Sequence, residues 1–199
     1  MQAGSSRVVV QRSWLVPICS PKNCEAQLIG TAPNIIKQMV AFYQEGVSLE
    51  VIDPVAEIEV IAAIYTSSRS TMSFLPSPPD HRTDMLFLRR FLTVRMSAIA
   101  IVIRGHPVGV MVSESREIHL LHTARGYSGM GFGSKLIQHA KSQAEELALS
   151  CFAANERAVR FYERHGFHLV GLTDGSENQE LLPVARYLWV RNGDAEKAA

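Results

Sequence analysis

Cysteine is scarce: Cys19, Cys24 and Cys151 are the only three in 199 residues. Three thiols make no disulfide framework. Cys19 and Cys24 have neither a third cysteine nor a histidine beside them, so no metal is expected. An excess of charge of one sign is also missing, with 20 basic against 19 acidic residues and a formal net charge of +1. That balance gives no electrostatic reason to expect nucleic acid or an anionic membrane as partner. No apolar run reaches the roughly 18–20 residues of a membrane span. Residues 1–23 hold Arg7, Arg12 and Lys22 and no acid, but two short apolar patches replace the single long core of a secretory signal. An organelle presequence fits that composition alone; the cytoplasm is the default expectation. There is no internal repeat and no low-complexity tract.

What is present suits one ordinary domain. Residues 1–46 read as an N-terminal extension with a helix at 33–45: Thr31 caps, Pro33 sits in the first turn, and Ile35, Ile36, Met39, Val40 and Tyr43 recur at helical spacing before Gly46. The domain proper, 47–199, opens with a strand at Ser48–Ile52. Asp53-Pro54 predicts a helix start, with Ile58, Ile61, Ala62 and Tyr65 on one face. Pro76, Pro78 and Pro79 make 73–82 a loop, and a short helix follows at Asp84–Leu92. Three β-rich runs, Ala98–Ile103, Pro107–Ser113 and Glu117–Thr123, read as an antiparallel meander. A glycine-rich turn then enters a helix whose face is Leu136, Ile137, Ala140, Ala144 and Leu147. A strand at Leu149–Ala153, a helix at Asn155–His165 stopped by Gly166, and strands at Phe167–Thr173 and Ala185–Arg191 complete the chain. The order is that of a mixed α+β domain and not of a doubly wound sheet.

The segment Gly126-Tyr127-Ser128-Gly129-Met130-Gly131-Phe132-Gly133-Ser134-Lys135 lies between a strand and an amphipathic helix. Glycine admits positive φ and close approach of a ligand, and the free N–H groups of the following helical turn favour an anion such as a diphosphate. A P-loop would close Gly-Lys-Ser/Thr, whereas this loop closes Gly133-Ser134-Lys135. A dinucleotide fingerprint begun at Gly129 puts Ser134 at its third glycine and lacks the parallel unit it needs. A glycine-rich turn with no ligand is the plain alternative.

Downstream stands Asn155-Glu156-Arg157-Ala158-Val159-Arg160-Phe161-Tyr162-Glu163-Arg164-His165-Gly166-Phe167. It resembles the second signature of the GCN5-related N-acetyltransferases (GNAT), Asn-x-x-Ala-x-x-Phe-Tyr-x-x-x-Gly-Phe. The glycine loop, one helix and one strand upstream, is similar to that family's coenzyme A loop, Arg/Gln-x-x-Gly-x-Gly/Ala, at Gly131 and Gly133. It departs at the first position, where Ser128 replaces the long polar side chain. The resemblance covers about residues 47–191. It implies a splayed, mostly antiparallel central sheet flanked by helices, with acetyl-CoA as cosubstrate and direct transfer of its acetyl group to a primary amine. A non-catalytic acyl-CoA-binding module of the same fold is the alternative. Cosubstrate contacts are then expected at Leu121 and Thr123, at Ser128, Gly129, Met130, Gly131, Phe132, Gly133 and Ser134, and at Asn155, Ala158 and Tyr162.

The same resemblance makes Tyr162 the candidate acid that protonates the departing thiolate, although its hydroxyl could equally satisfy a nearby carbonyl. An attacking amine of ordinary pKa must lose a proton, and the oxygen gathering charge needs a donor, which a free N–H on the preceding strand could supply. Glu117 and His119 are the candidate bases. Glu117 lies where the histone-acetylating branch keeps its glutamate, and His119 offers an imidazole on the same face. Strict alternation places Glu117, His119, Leu121 and Thr123 on one face, and Ile118, Leu120 and His122 on the other. The acceptor amine is not named by the residues. A homodimer is one assembly open to the chain.

Overall fold

The computed structural model describes residues 46–191. The expected helix at 33–45 and the pair Cys19 and Cys24 lie outside the described residues. Seven strands form one sheet: β1 (Val47–Ile52), β2 (Ser97–Ile103), β3 (His106–Glu114), β4 (Glu117–Thr123), β5 (Glu146–Phe152), β6 (His168–Thr173) and β7 (Val184–Val190). Their order across the sheet is β1-β2-β3-β4-β5-β7-β6. Every neighbouring pair is antiparallel except β4 and β5, which are parallel. The mixed α+β architecture with a mostly antiparallel sheet is the one expected.

Helices α1 (Ile58–Arg69) and α2 (His81–Phe91) cover one face. They bury Ile61, Ile64, Met85 and Leu88 against Ala98, Val110, Val112 and Leu120. Helices α3 (Phe132–Gln143) and α4 (Glu156–Arg164) cover the other, where Leu136, Ile137 and Tyr162 join Ile101, Met111, Ile118, Leu149 and Tyr187 in a second core. Strands β2 and β3 are apolar on both faces because both cores rest on them.

Local signals misplaced three helix boundaries. Asp53 does not start α1; its carboxylate accepts the N–H groups of Val55 (2.8 Å) and Ala56 (3.0 Å) and so closes a separate turn ahead of the helix. Helix α2 starts three residues before Asp84 because Asp80 accepts the Thr83 N–H (2.8 Å), a side-chain cap. Helix α3 ends at Gln143, and Leu147 belongs to β5, where it pairs with Trp189 of β7. There the apolar residues Leu147 and Leu149 have the spacing of a strand as well, and pairing with β7 decides. Among the described residues, no helix is long and apolar enough to cross a membrane.

Candidate active site

The parallel pair β4 and β5 is joined only at Glu117–Ala148 and Ile118–Leu149, after which the strands part. Beyond that point each strand presents an edge of main-chain N–H and C=O groups without a cross-strand partner, and buried groups of this kind require one. The parting opens a cavity of about 1460 Å³, lined by β4, the glycine loop, β5, α4, α1, α2 and the loop before β7.

Glycine geometry shapes one wall. Gly126, Gly129 and Gly131 have φ of 93°, 84° and 85°, which side-chain-bearing residues rarely adopt. Gly131 caps α3 with no side-chain hydrogen bond, so the first N–H groups of the helix are left for another acceptor. Gly133 has a different reason: a Cβ there would lie 3.2 Å from Phe161 Cζ, so its smallness lets α3 pack on α4. The side chain of Phe132 is buried in the core, and Met130 packs on the same core. Of these two expected contacts only the main chain is therefore available to a ligand. Leu121, Thr123, Ser128, Gly129, Gly131, Gly133, Ser134, Asn155, Ala158 and Tyr162 all line the cavity. Asn155 caps α4 by accepting the Ala158 N–H (3.1 Å).

His165 fixes Ser134. Its Nδ1 is 2.8 Å from the Phe161 carbonyl, which can only accept, so Nδ1 carries the proton. In the neutral ring Nε2 then accepts the Ser134 hydroxyl at 3.0 Å.

Tyr162 is buried, with its ring edge-on to Phe161 and Phe167. Burial, and then the neighbouring Cys151, push its pKa well above that of an ordinary phenol, so it holds its proton throughout the neutral range. The Cys151 thiol is raised to about 11 by burial and then by Glu163, so it stays protonated and is a poor nucleophile.

Strand β4 corrects the alternation. Val112 pairs with Leu120 but Ser113 with Ile118, so His119 is an extra residue, a bulge. Ile118 then packs with the α3 core and Leu120 with the α1–α2 core. His119 lies edge-on to Phe91 of α2 (5.6 Å) and His122 edge-on to Tyr65 of α1 (4.8 Å), so the two histidines share one side instead of opposing each other. Among the described residues, however, no group of three or more His, Cys, Asp or Glu could hold a metal. Glu117 is engaged by Arg186, whose Nη2 and Nη1 lie 2.7 and 3.1 Å from its two oxygens.

The opposite wall contains two residues to which sequence reasoning gave no role, Arg69 and Asp84. Arg69 of α1 meets Asp84 of α2 (3.4 Å) and Glu180 of the loop before β7 (2.8 Å), and donates to the Tyr65 hydroxyl (3.3 Å). Asp84 is 5% exposed and its Oδ2 has no hydrogen-bond partner. Burial, and then Arg69, lower the His122 pKa to about 4, so its ring is neutral, with Nδ1 3.1 Å from Ser68 Oγ. Two carboxylates thus face one guanidinium, with no help from His122.

A sheet parted at its one parallel pair, with an uncapped helix start at the opening, forms a cleft whose wall offers main-chain donors to an anion. Residues 61–167 match the Acetyltransferase (GNAT) family, and the chain belongs to that family. It is an acetyltransferase, and the family implies acetyl-CoA as cosubstrate. It is 30% identical over 133 residues to the peptidyl-lysine N-acetyltransferase YjaB of Escherichia coli K12, covering 66% of this chain and 89% of that protein. The solution structure of apo-form YjaB from Escherichia coli superposes with a TM-score of 0.61 at 26% identity, over 72% of this chain and 97% of that one. Ard1 from Thermoplasma volcanium shares the fold, with a TM-score of 0.54 at 17% identity over 73% and 97% of the two chains.

Proposed function

We propose that the chain transfers an acetyl group from acetyl-CoA to the primary amine of a lysine side chain, the acceptor class of its relative YjaB. The observation that carries this reading is the pairing of two unlike walls across one cavity. One wall offers main-chain donors between parted strands; the other carries Asp84 and Glu180 against a single Arg69. A surplus of negative charge on a partly buried wall attracts an ammonium group.

The loop from Ser128 to Ser134, with Leu121, Thr123, Asn155, Ala158 and Tyr162, is the set that would hold the cosubstrate. Acetyl-CoA, when bound, supplies an activated thioester. His119, carried out of the β-ladder by its bulge, suits the task of taking the amine proton; Glu117 would first have to leave Arg186. Main-chain N–H groups freed at the same bulge suit the oxygen on which charge develops. Tyr162, which keeps its proton, gives it to the leaving sulfur. We place this chemistry in the cytoplasm. Should the chain form a homodimer, the sheet edge at β6, which exposes Leu169, Val170 and Leu172, is the surface to examine.

A thiol-release assay with acetyl-CoA, run across lysine peptides, free amines and peptides with blocked lysines, tests the acceptor. Release is expected with lysine peptides and lost on blocking. In the same assay Tyr162→Phe is expected to slow turnover about 100-fold while CoA affinity stays within about twofold. An unchanged rate removes Tyr162 from the mechanism.

A further inference from the structure

The loop's missing long side chain has a replacement in space. Three arginines line the cavity: Arg69, Arg157 and Arg164. Arg69 is committed to Asp84 and Glu180 on the acceptor wall. Arg157 stands over the glycine loop, its Nη2 only 3.5 Å from the point a Cβ on Gly129 would occupy.

Nothing in the folding of α4 calls for a cation there. Arg157 is the second residue of the helix after its cap, Asn155. A positive charge in a first turn opposes the helix dipole at a cost of a few tenths to about 1 kcal/mol. Among the described residues it has no carboxylate in ion-pair range, since Glu156, its neighbour, pairs with Arg160 one turn on (3.0 Å). The side chain is exposed and packs in neither core. An anion at the start of α3 would turn this unfavourable placement into a favourable one, because Arg157 and the uncapped N–H groups after Gly131 would then share it.

We propose that Arg157 reaches from α4 across Gly129 to the diphosphate of coenzyme A, and so provides the charged contact that Ser128 is too short to make. The assignment rests on the acetyl-CoA reading of the cavity. It deepens that reading by giving the anion grip two sources, main chain from α3 and a guanidinium from α4. The cosubstrate would thereby tie the two helices together.

Calorimetric titration of CoA and of 3′-dephospho-CoA into the wild type, Arg157→Ala, and Arg157→Ala combined with Ser128→Arg decides it. Melting curves of the ligand-free proteins check that each is folded. Arg157→Ala is expected to weaken both ligands about tenfold, and the difference from wild type should shrink between low and high salt. Adding Ser128→Arg should restore affinity to within about threefold, by returning the charge to the loop. Unchanged affinity in Arg157→Ala, or a loss confined to the ligand bearing the 3′-phosphate, overturns the assignment. A wild type that binds neither ligand removes the cavity reading itself, and that result is distinct from the other two.

Discussion

The two walls of the cavity are made of different materials. The wall formed by the glycine loop and the start of α3 is mostly backbone, in which positive φ values and absent side chains leave N–H groups free. The wall formed by α1, α2 and the loop before β7 is mostly side chain, with Arg69, Asp84, Glu180, Tyr65 and His122 joined by contacts between segments far apart in the chain. The first kind of wall suits a ligand shared by a whole family, because main-chain donors come with the fold. The second kind can be changed one side chain at a time, as acceptor selectivity requires.

The contrast predicts that damage to the side-chain wall costs more stability. Arg69→Met leaves the buried Asp84 and the half-buried Glu180 without their shared cation, and unfolding free energy is expected to fall by about 3 kcal/mol, read by urea denaturation. A loss under 1 kcal/mol would mean that the cluster is solvated and that the wall is not built as described.

The next effect is a pH dependence. His122 in the native chain titrates at about 4, against 6.5 unperturbed. Between those values the unfolded chain binds a proton that the folded chain does not, so stability falls as pH falls from about 6.5 towards 4. The full shift corresponds to about 3 kcal/mol; because the ring is half-buried and borders the open cavity, about 2 kcal/mol is expected. His122→Gln should remove that part of the slope, which paired denaturation curves at pH 7.5 and 5 would reveal.

The smallest effect belongs to the backbone wall. Gly131→Ala forces a methyl-bearing residue to φ 85°, at a cost of about 1 kcal/mol. That loss is the smallest of the three, yet CoA affinity should drop more than in any variant of the side-chain wall. Equal affinity in Gly131→Ala and wild type would dissolve the distinction between the walls.

The same division decided what could be read from the sequence. The meander from β2 to β4, the glycine turn, the Asn155 cap and the Gly166 stop are local patterns, and each is found where the residues place it. The family resemblance rested on two such stretches. Fifteen positions separate Arg69 from Asp84 and more than a hundred separate it from Glu180, so no periodicity announces their meeting. The bulge at His119 was hidden for a related reason. It is a property of the ladder between β3 and β4, and a single strand read alone shows only alternation. Arg157 occupies an unconstrained position within the motif, so the pattern of its neighbours assigns it no role.

The union of β4 and β5 has a mechanical consequence. With two register pairs, Glu117–Ala148 and Ile118–Leu149, and the contacts of Arg116 at their end, the two halves of the sheet share a short seam. The helices α3 and α4 act as the brace across the back. A molecule lying along the gap would stiffen that joint like a splint. Of the amide hydrogens in Leu120–Thr123 and Ser150–Phe152, those turned away from β3 and β7 should therefore exchange slowly only while it is in place.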